Sequence, residues 1–142
     1  MIDVLICGDS LAMRTRISRM LAPEEDLRVV GETATSQDCV SKMYALRPHV
    51  LLIDMAMPLM DALSCIQEAR RRRMPAIILV ISATSVAETS ETLEALSAGA
   101  TAALARPRSE SEASRTELAN FVRGNYGRPA RPRSSLAEAT GP

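Results

Sequence analysis

Along the chain, short apolar runs alternate with stretches in which apolar residues recur every three or four positions. The runs cover residues 4–7, 27–30, 50–53 and 76–81, with a weaker fifth at 102–105. Runs of that length without polar alternation suit strands buried on both faces, as in a parallel sheet. Between them, Met13, Ile17, Met20 and Leu21 keep i, i+4, i+7, i+8 spacing, and Val40, Met43 and Tyr44 keep i, i+3, i+4. Each pattern gives a helix one apolar stripe. Leu63 and Ile66 mark a third helix with Asp61 as its N-cap, and Leu93 with Leu96 a fourth that stops at Gly99. A fifth carries Leu118, Phe121 and Val122 and stops at Gly124. Pro23, Pro48 and Pro75 each stand between a helical stretch and an apolar run, where a residue lacking its N–H ends the helix.

Five alternations of strand and helix predict an α/β fold, a doubly wound parallel sheet of five strands with helices on both faces. With short connections and right-handed crossovers the expected strand order is 2-1-3-4-5, flavodoxin-like. Ligands in such sheets sit beyond the carboxyl ends of the strands. The expected organisation is one domain over residues 1–123 and a tail or linker over 124–142. After Gly124 the composition turns to Arg, Pro, Ser, Ala and Gly, and residues 125–142 are expected to be mobile.

The 142 residues, 46% of them apolar, suffice for a core that needs no disulfide or metal to hold it. Seventeen basic against 17 acidic side chains argue against a generic nucleic-acid binder, whose mark is a basic excess on one face. The longest purely apolar run, residues 76–81, is far short of the roughly 18 residues of a membrane span. No basic segment or cleavage site opens the chain, so a cytoplasmic protein without membrane insertion is expected. Cys7, Cys39 and Cys65 are odd in number and lack CxxC spacing. They read as buried thiols rather than a disulfide framework or a zinc site.

Polar residues at the strand ends supply the candidate chemistry. Asp9 and Ser10 follow the first strand, Asp54 closes the third, Ser82 and Thr84 follow the fourth, and Arg106-Pro107 follows the fifth. Two carboxylates brought together make a hard oxygen site suited to Mg²⁺, which takes one or two carboxylates plus phosphate oxygens and water. A hydroxyl and a cation beside them can hold the remaining oxygens of a phosphoryl group.

The segment Leu51-Leu-Ile-Asp-Met-Ala-Met-Pro-Leu-Met-Asp-Ala-Leu63 resembles the D-x-x-M-P-x-M-D-G-L segment of bacterial response-regulator receiver domains. Val4-Leu-Ile-Cys-Gly-Asp-Ser10 is similar to their V-L-I-V-D-D-S, and Val30-Gly-Glu32 also recurs in the family. Ser82, Thr92-Leu-Glu-Ala-Leu96 and Gly99-Ala100 are most similar to the receiver of chemotaxis methylesterases. The resemblance covers about residues 1–123. It implies that Asp54 accepts a phosphoryl group from a histidine kinase and that the domain then switches binding to a downstream protein or effector domain. It also implies Mg²⁺ held by Asp9, Asp54 and the Ala56 carbonyl, with Ser82 and Arg106 sensing the phosphate.

Three positions depart from that pattern. Gly8 stands for the first acid of a pair, Arg106 for an invariant lysine, and Ala103 for a switching Tyr or Phe. Weak Mg²⁺ binding is therefore expected, because affinity for a hard cation follows ligand charge. Arg106 is expected to lie as a fork across Asp54 and Asp9 in competition with the metal. Slow or silent phosphorylation follows, and with it an alternative, a phosphorylation-independent pseudo-receiver that acts as a protein-binding module.

Other features have plainer readings. Arg70-Arg-Arg-Arg73 ends a helix, where cations complement the dipole and stay solvated. Arg128, Arg131 and Arg133 alternate with Pro and Ala like a linker, and Glu88, Glu91 and Glu94 form a solvated helix face. His49 has no ligand partner near it in sequence. A dehalogenase-like phosphatase would need an acid two residues after Asp54, where Ala56 stands. No G-x-S-x-G elbow occurs, so the chain is expected to have no catalytic residues and no esterase activity, even as the regulatory piece of a methylesterase.

Overall fold

The computed structural model describes residues 1–126. Five strands, β1 (Ile2–Cys7), β2 (Leu27–Thr33), β3 (Val50–Asp54), β4 (Ile77–Ile81) and β5 (Ala102–Leu104), alternate with five helices. The helices are α1 (Leu11–Leu21), α2 (Ser36–Leu46), α3 (Leu59–Arg71), α4 (Ser90–Ala98) and α5 (Glu112–Asn125). All strand pairs are parallel, and the sheet order is β2-β1-β3-β4-β5, the flavodoxin-like arrangement expected from the alternation.

The period-two geometry of strands sorts the core into two layers. Leu5, Cys7, Leu51, Ile53, Ile78 and Val80 pack with the buried residues of α2, α3 and α4. Val4, Ile6, Val50, Leu52, Leu79 and Ile81 pack with those of α1 and α5. Every residue of β3 and β4 is buried, which is why those stretches carry no polar alternation. Cys7, Cys39 and Cys65 are free and lie in the first layer, where the neighbouring thiols of Cys65 and Cys7, and then burial, push the Cys39 thiol up.

Local polar chemistry fixes the helix starts. Ser10 and Thr35 accept N–H groups of Met13 (3.2 Å) and Asp38 (3.1 Å), as Ser and Thr caps do. α4 opens on a reciprocal capping box in which Thr89 and Thr92 each bond the other's backbone N–H. Thr89→Ala is expected to lower stability by about 1 kcal/mol, the usual worth of such a cap, read as a shift in urea midpoint at unchanged slope.

Several expected details differ. α3 begins at Leu59 with Pro58 as its N-cap, rather than on an Asp61 cap; Asp61 lies inside the first turn, where its charge suits the helix dipole. Tyr44 and Leu93, placed by spacing on apolar stripes, are exposed; α2 and α4 bury Met43 and Leu96 as expected, and with them Cys39, Thr92 and Ala95. α5 runs through Gly124 to Asn125. The tail expected to be mobile lies, from residue 127 on, outside the described residues.

Candidate functional site at the strand ends

Because the strands are parallel, their carboxyl ends share one edge. The register Cys7↔Ile53 brings Gly8 level with Asp54, and Asp54 itself pairs with Ile81. A Cβ on Gly8 would stand 3.1 Å from the Cβ of Asp54 and 3.9 Å from its Oδ2. Glycine thus lets two strand ends close up where an acid pair would crowd them.

Asp54 is 2% exposed, so its carboxylate needs partners. Oδ1 accepts the Ala56 N–H at 3.0 Å and Arg106 Nη1–H at 3.0 Å, while Arg106 Nη2 donates to Oδ2 over a longer 3.5 Å. Arg106 reaches down from the loop after β5, which is held to the loop after β4 by Arg106 N–H donating to the Thr84 carbonyl at 2.9 Å. A fork on both oxygens of a buried carboxylate compensates its charge in a way one ammonium does not.

Asp9 is exposed and has neither a side-chain hydrogen bond nor an ion pair among the described residues. Arg106 therefore lies on Asp54 alone, not across Asp54 and Asp9 as expected. Ser82 is fully buried, and its Oγ accepts the Thr84 N–H at 3.2 Å with Thr84 Oγ1 3.3 Å away. It is tied to Thr84. Ala103 is half-buried and packs on the α2–α4 layer, with only a methyl to offer there.

One participant escaped sequence reasoning. Arg14 Nη1–H donates to the Gly8 carbonyl at 2.6 Å, and Arg14 Nε stands 3.3 Å from Glu32 Oε1. The arginine tethers the loop in which Gly8 stands to the end of β2. Its signal was the recurring Val30-Gly-Glu32, an acid in need of a cation. His49 is structural, its Nδ1 accepting the Asp3 N–H at 2.9 Å.

Asp9, Asp54 and the Ala56 carbonyl are hard oxygen donors, the type Mg²⁺ takes. Asp9 is free to turn toward a cation, whereas the Asp54 oxygens are shared with Arg106. Among the described residues no three His, Cys, Asp or Glu side chains gather as a metal cluster. By donor type alone these residues suit a hard cation that keeps several of its waters and takes one or two carboxylates.

The family model that matches the chain is the response regulator receiver domain, over residues 4–116. This chain belongs to the response-regulator receiver family. It is 29% identical over 115 residues to the protein-glutamate methylesterase/protein-glutamine glutaminase of Rhodopseudomonas palustris, covering 81% of this chain and 30% of that protein. A protein of the same name from Desulfitobacterium hafniense is 31% identical over 106 residues, 75% of this chain and 27% of the relative. The chain thus spans less than a third of the length of these curated relatives, and the part it matches is the non-catalytic receiver. In structure it is similar to the signal receiver domain of NarL from Mycobacterium tuberculosis, with a TM-score of 0.74, 27% identity and coverage of 87% of this chain and 94% of that one. The receiver fold, expected from the Asp54 segment, and the methylesterase-type likeness, expected from Ser82, Thr92-Leu-Glu-Ala-Leu96 and Gly99-Ala100, are both borne out. Among the described residues no helix is long and apolar enough to cross a membrane.

Proposed function

We propose that this receiver works in a two-component phosphorelay, taking a phosphoryl group on Asp54 from a histidine kinase and switching its binding to a downstream protein or effector domain. The observation that carries the reading is the setting of Asp54. It is an all but buried carboxylate at the end of β3, oriented by the Ala56 N–H and faced by Arg106. Phosphoryl transfer asks a protein mainly for positioning and charge stabilisation, and this edge offers both. An Asp54 oxygen attacks phosphorus as the P–N bond to the donor histidine breaks and the imidazole nitrogen leaves with the electron pair; with acetyl phosphate the acetate oxygen leaves instead. Burial keeps water from the acyl phosphate, and Arg106 slides from the carboxylate to the phosphoryl oxygens. Ser82 exchanges its Thr84 partner for one of those oxygens. Asp9, Asp54 and the Ala56 carbonyl would hold Mg²⁺, which when bound offsets the charge of the incoming phosphoryl group. We assign residues 1–123 to this module and 124–142 to a linker, in a cytoplasmic protein.

A second reading, a phosphorylation-independent binding module, is favoured by the same fork. Arg106 already occupies both Asp54 oxygens, and Gly8 supplies no acid to draw a metal in. Incubation of the full chain with Mg²⁺ and acetyl phosphate, read by intact mass, separates the two. Addition of one phosphoryl group, absent in Asp54→Asn, is expected. No addition to the native chain, with uptake only after Arg106 is replaced, would establish the second reading.

A further inference from the structure

We propose that the end of the molecule opposite Asp54 carries a docking surface for an acidic protein segment with an apolar anchor, built by Arg47, Arg72 and Arg73 around a pocket between α2 and α3.

The backbone points there first. Among the described residues only two non-glycines have positive φ, Arg47 at 50° and Arg73 at 55°. Each follows a helix and directly precedes a pocket-lining residue, Pro48 and Met74. Glycine or asparagine is the usual choice at such a left-handed helix end, because a Cβ there meets the backbone. Complementing the helix dipole does not account for arginine, since a cation one turn earlier does that at ordinary φ. Two strained arginines flanking one pocket mark a place where the side chains matter.

The side chains agree. Tyr44 is 55% exposed, with the Arg47 guanidinium 5.1 Å and the Arg72 guanidinium 5.9 Å from its ring centre. Neither Arg47 nor Arg73 has a carboxylate partner among the described residues. Glu68 is held by Arg71 and Arg72, which pull its carboxyl down to about 2, and Asp3 is held by Arg28, so both acids are already paired. Beneath lie Met43, Pro48, Met74, Pro75 and Ala76, enclosing about 50 Å³. Small-molecule sites run from roughly 300 Å³ upward, so this space takes a single side chain.

A segment with carboxylates on either side of a Leu or Met meets all of these features. The carboxylates pair with the guanidinium forks and the apolar side chain fills the floor. The described chain ends at Tyr126, whose ring stands at right angles to that of His49, centroids 5.6 Å apart, next to Pro48 of the pocket. The residues after it carry three arginines, Arg128, Arg131 and Arg133, against one acid, Glu138, a charge balance opposite to that of the occupant this surface asks for. A nucleic-acid backbone would want a broad basic face rather than three arginines around an apolar floor.

The test is fluorescence anisotropy of the full chain with a labelled Glu-Glu-Leu-Glu-Glu-Leu-Glu-Glu peptide, its Lys counterpart and a short DNA duplex. Saturable binding of the acidic peptide alone is expected, weakened at least tenfold in Arg47→Gly/Arg73→Gly. Because glycine relieves both positive φ angles, that variant is expected to match or exceed the native urea midpoint. Arg47→Asn/Arg73→Asn, which also tolerates the left-handed region, should lose binding in parallel. No saturable binding of the acidic peptide to the native chain, full binding by either variant, or duplex binding that needs the same arginines would overturn the proposal.

Discussion

Exchanging Gly8 for aspartate and Arg106 for lysine in one chain is expected to speed phosphoryl uptake at Asp54 about tenfold or more at low Mg²⁺, a lowering of the barrier by about 1.4 kcal/mol. Two terms drive it. Aspartate at position 8 adds a carboxylate beside Asp54, and affinity for a hard cation rises with ligand charge. Lysine replaces a fork that holds both Asp54 oxygens by a point charge on a flexible stem, which withdraws as a metal and a phosphoryl group enter. One term opposes it, since a Cβ at position 8 stands 3.1 Å from the Asp54 Cβ and β1 must shift by a few tenths of an ångström. Gly8→Ala measures that steric cost alone. Intact mass over time and Mg²⁺ titration check the rest, and Asp54→Asn in the double variant should abolish uptake, because an amide is no nucleophile. Equal rates in the native chain and the double variant at low Mg²⁺ would make both departures tolerated variation.

Much of this edge was legible in the sequence because strand ends in a parallel sheet must converge. Asp54, Gly8, Ser82 and Arg106 could be placed from runs and connections alone. The partners of each group were not legible. Nothing in one dimension distinguishes an arginine lying on one carboxylate from one spanning two, or a serine tied to Thr84 from one facing Asp54. Helix faces failed for a related reason. Thr92 hides in the core because its hydroxyl finds the Ala87 carbonyl at 2.9 Å and the Thr89 carbonyl at 3.1 Å, so hydropathy passes over it and favours the exposed Leu93. Tyr44 fits an apolar stripe by spacing, yet two guanidiniums hold it at the surface.

Arg70 shows the same limit with a larger energy attached. The run Arg70-Arg-Arg-Arg73 was expected to be solvated, and Arg71 and Arg72 do pair with Glu68 at the surface. Arg70 instead turns inward. Its Nε–H donates to the Gly99 carbonyl at 2.9 Å, and Nη1–H to the carbonyls of Met74 (3.1 Å) and Ala76 (2.9 Å). It thereby ties the ends of α3 and α4 to the start of β4, at the cost of burial that makes its proton easier to lose. Arg70→Ala is expected to cost about 2–4 kcal/mol, because charge-assisted bonds are lost and buried carbonyls are left without a donor. Gly99 is part of the same joint. Its φ is +128°, and a Cβ there would lie 2.6 Å from Arg70 Cγ. Gly99→Ala is thus expected to cost about 3 kcal/mol in the native chain, from backbone strain and displacement of Arg70 together. In the Arg70→Ala background the Cγ is gone and only the strain remains, about 1–2 kcal/mol. Urea unfolding of the four chains of this cycle gives the coupling directly. Additive costs would mean that Gly99 and Arg70 act independently, and that the Arg70 stem is not part of what makes glycine necessary at this helix end.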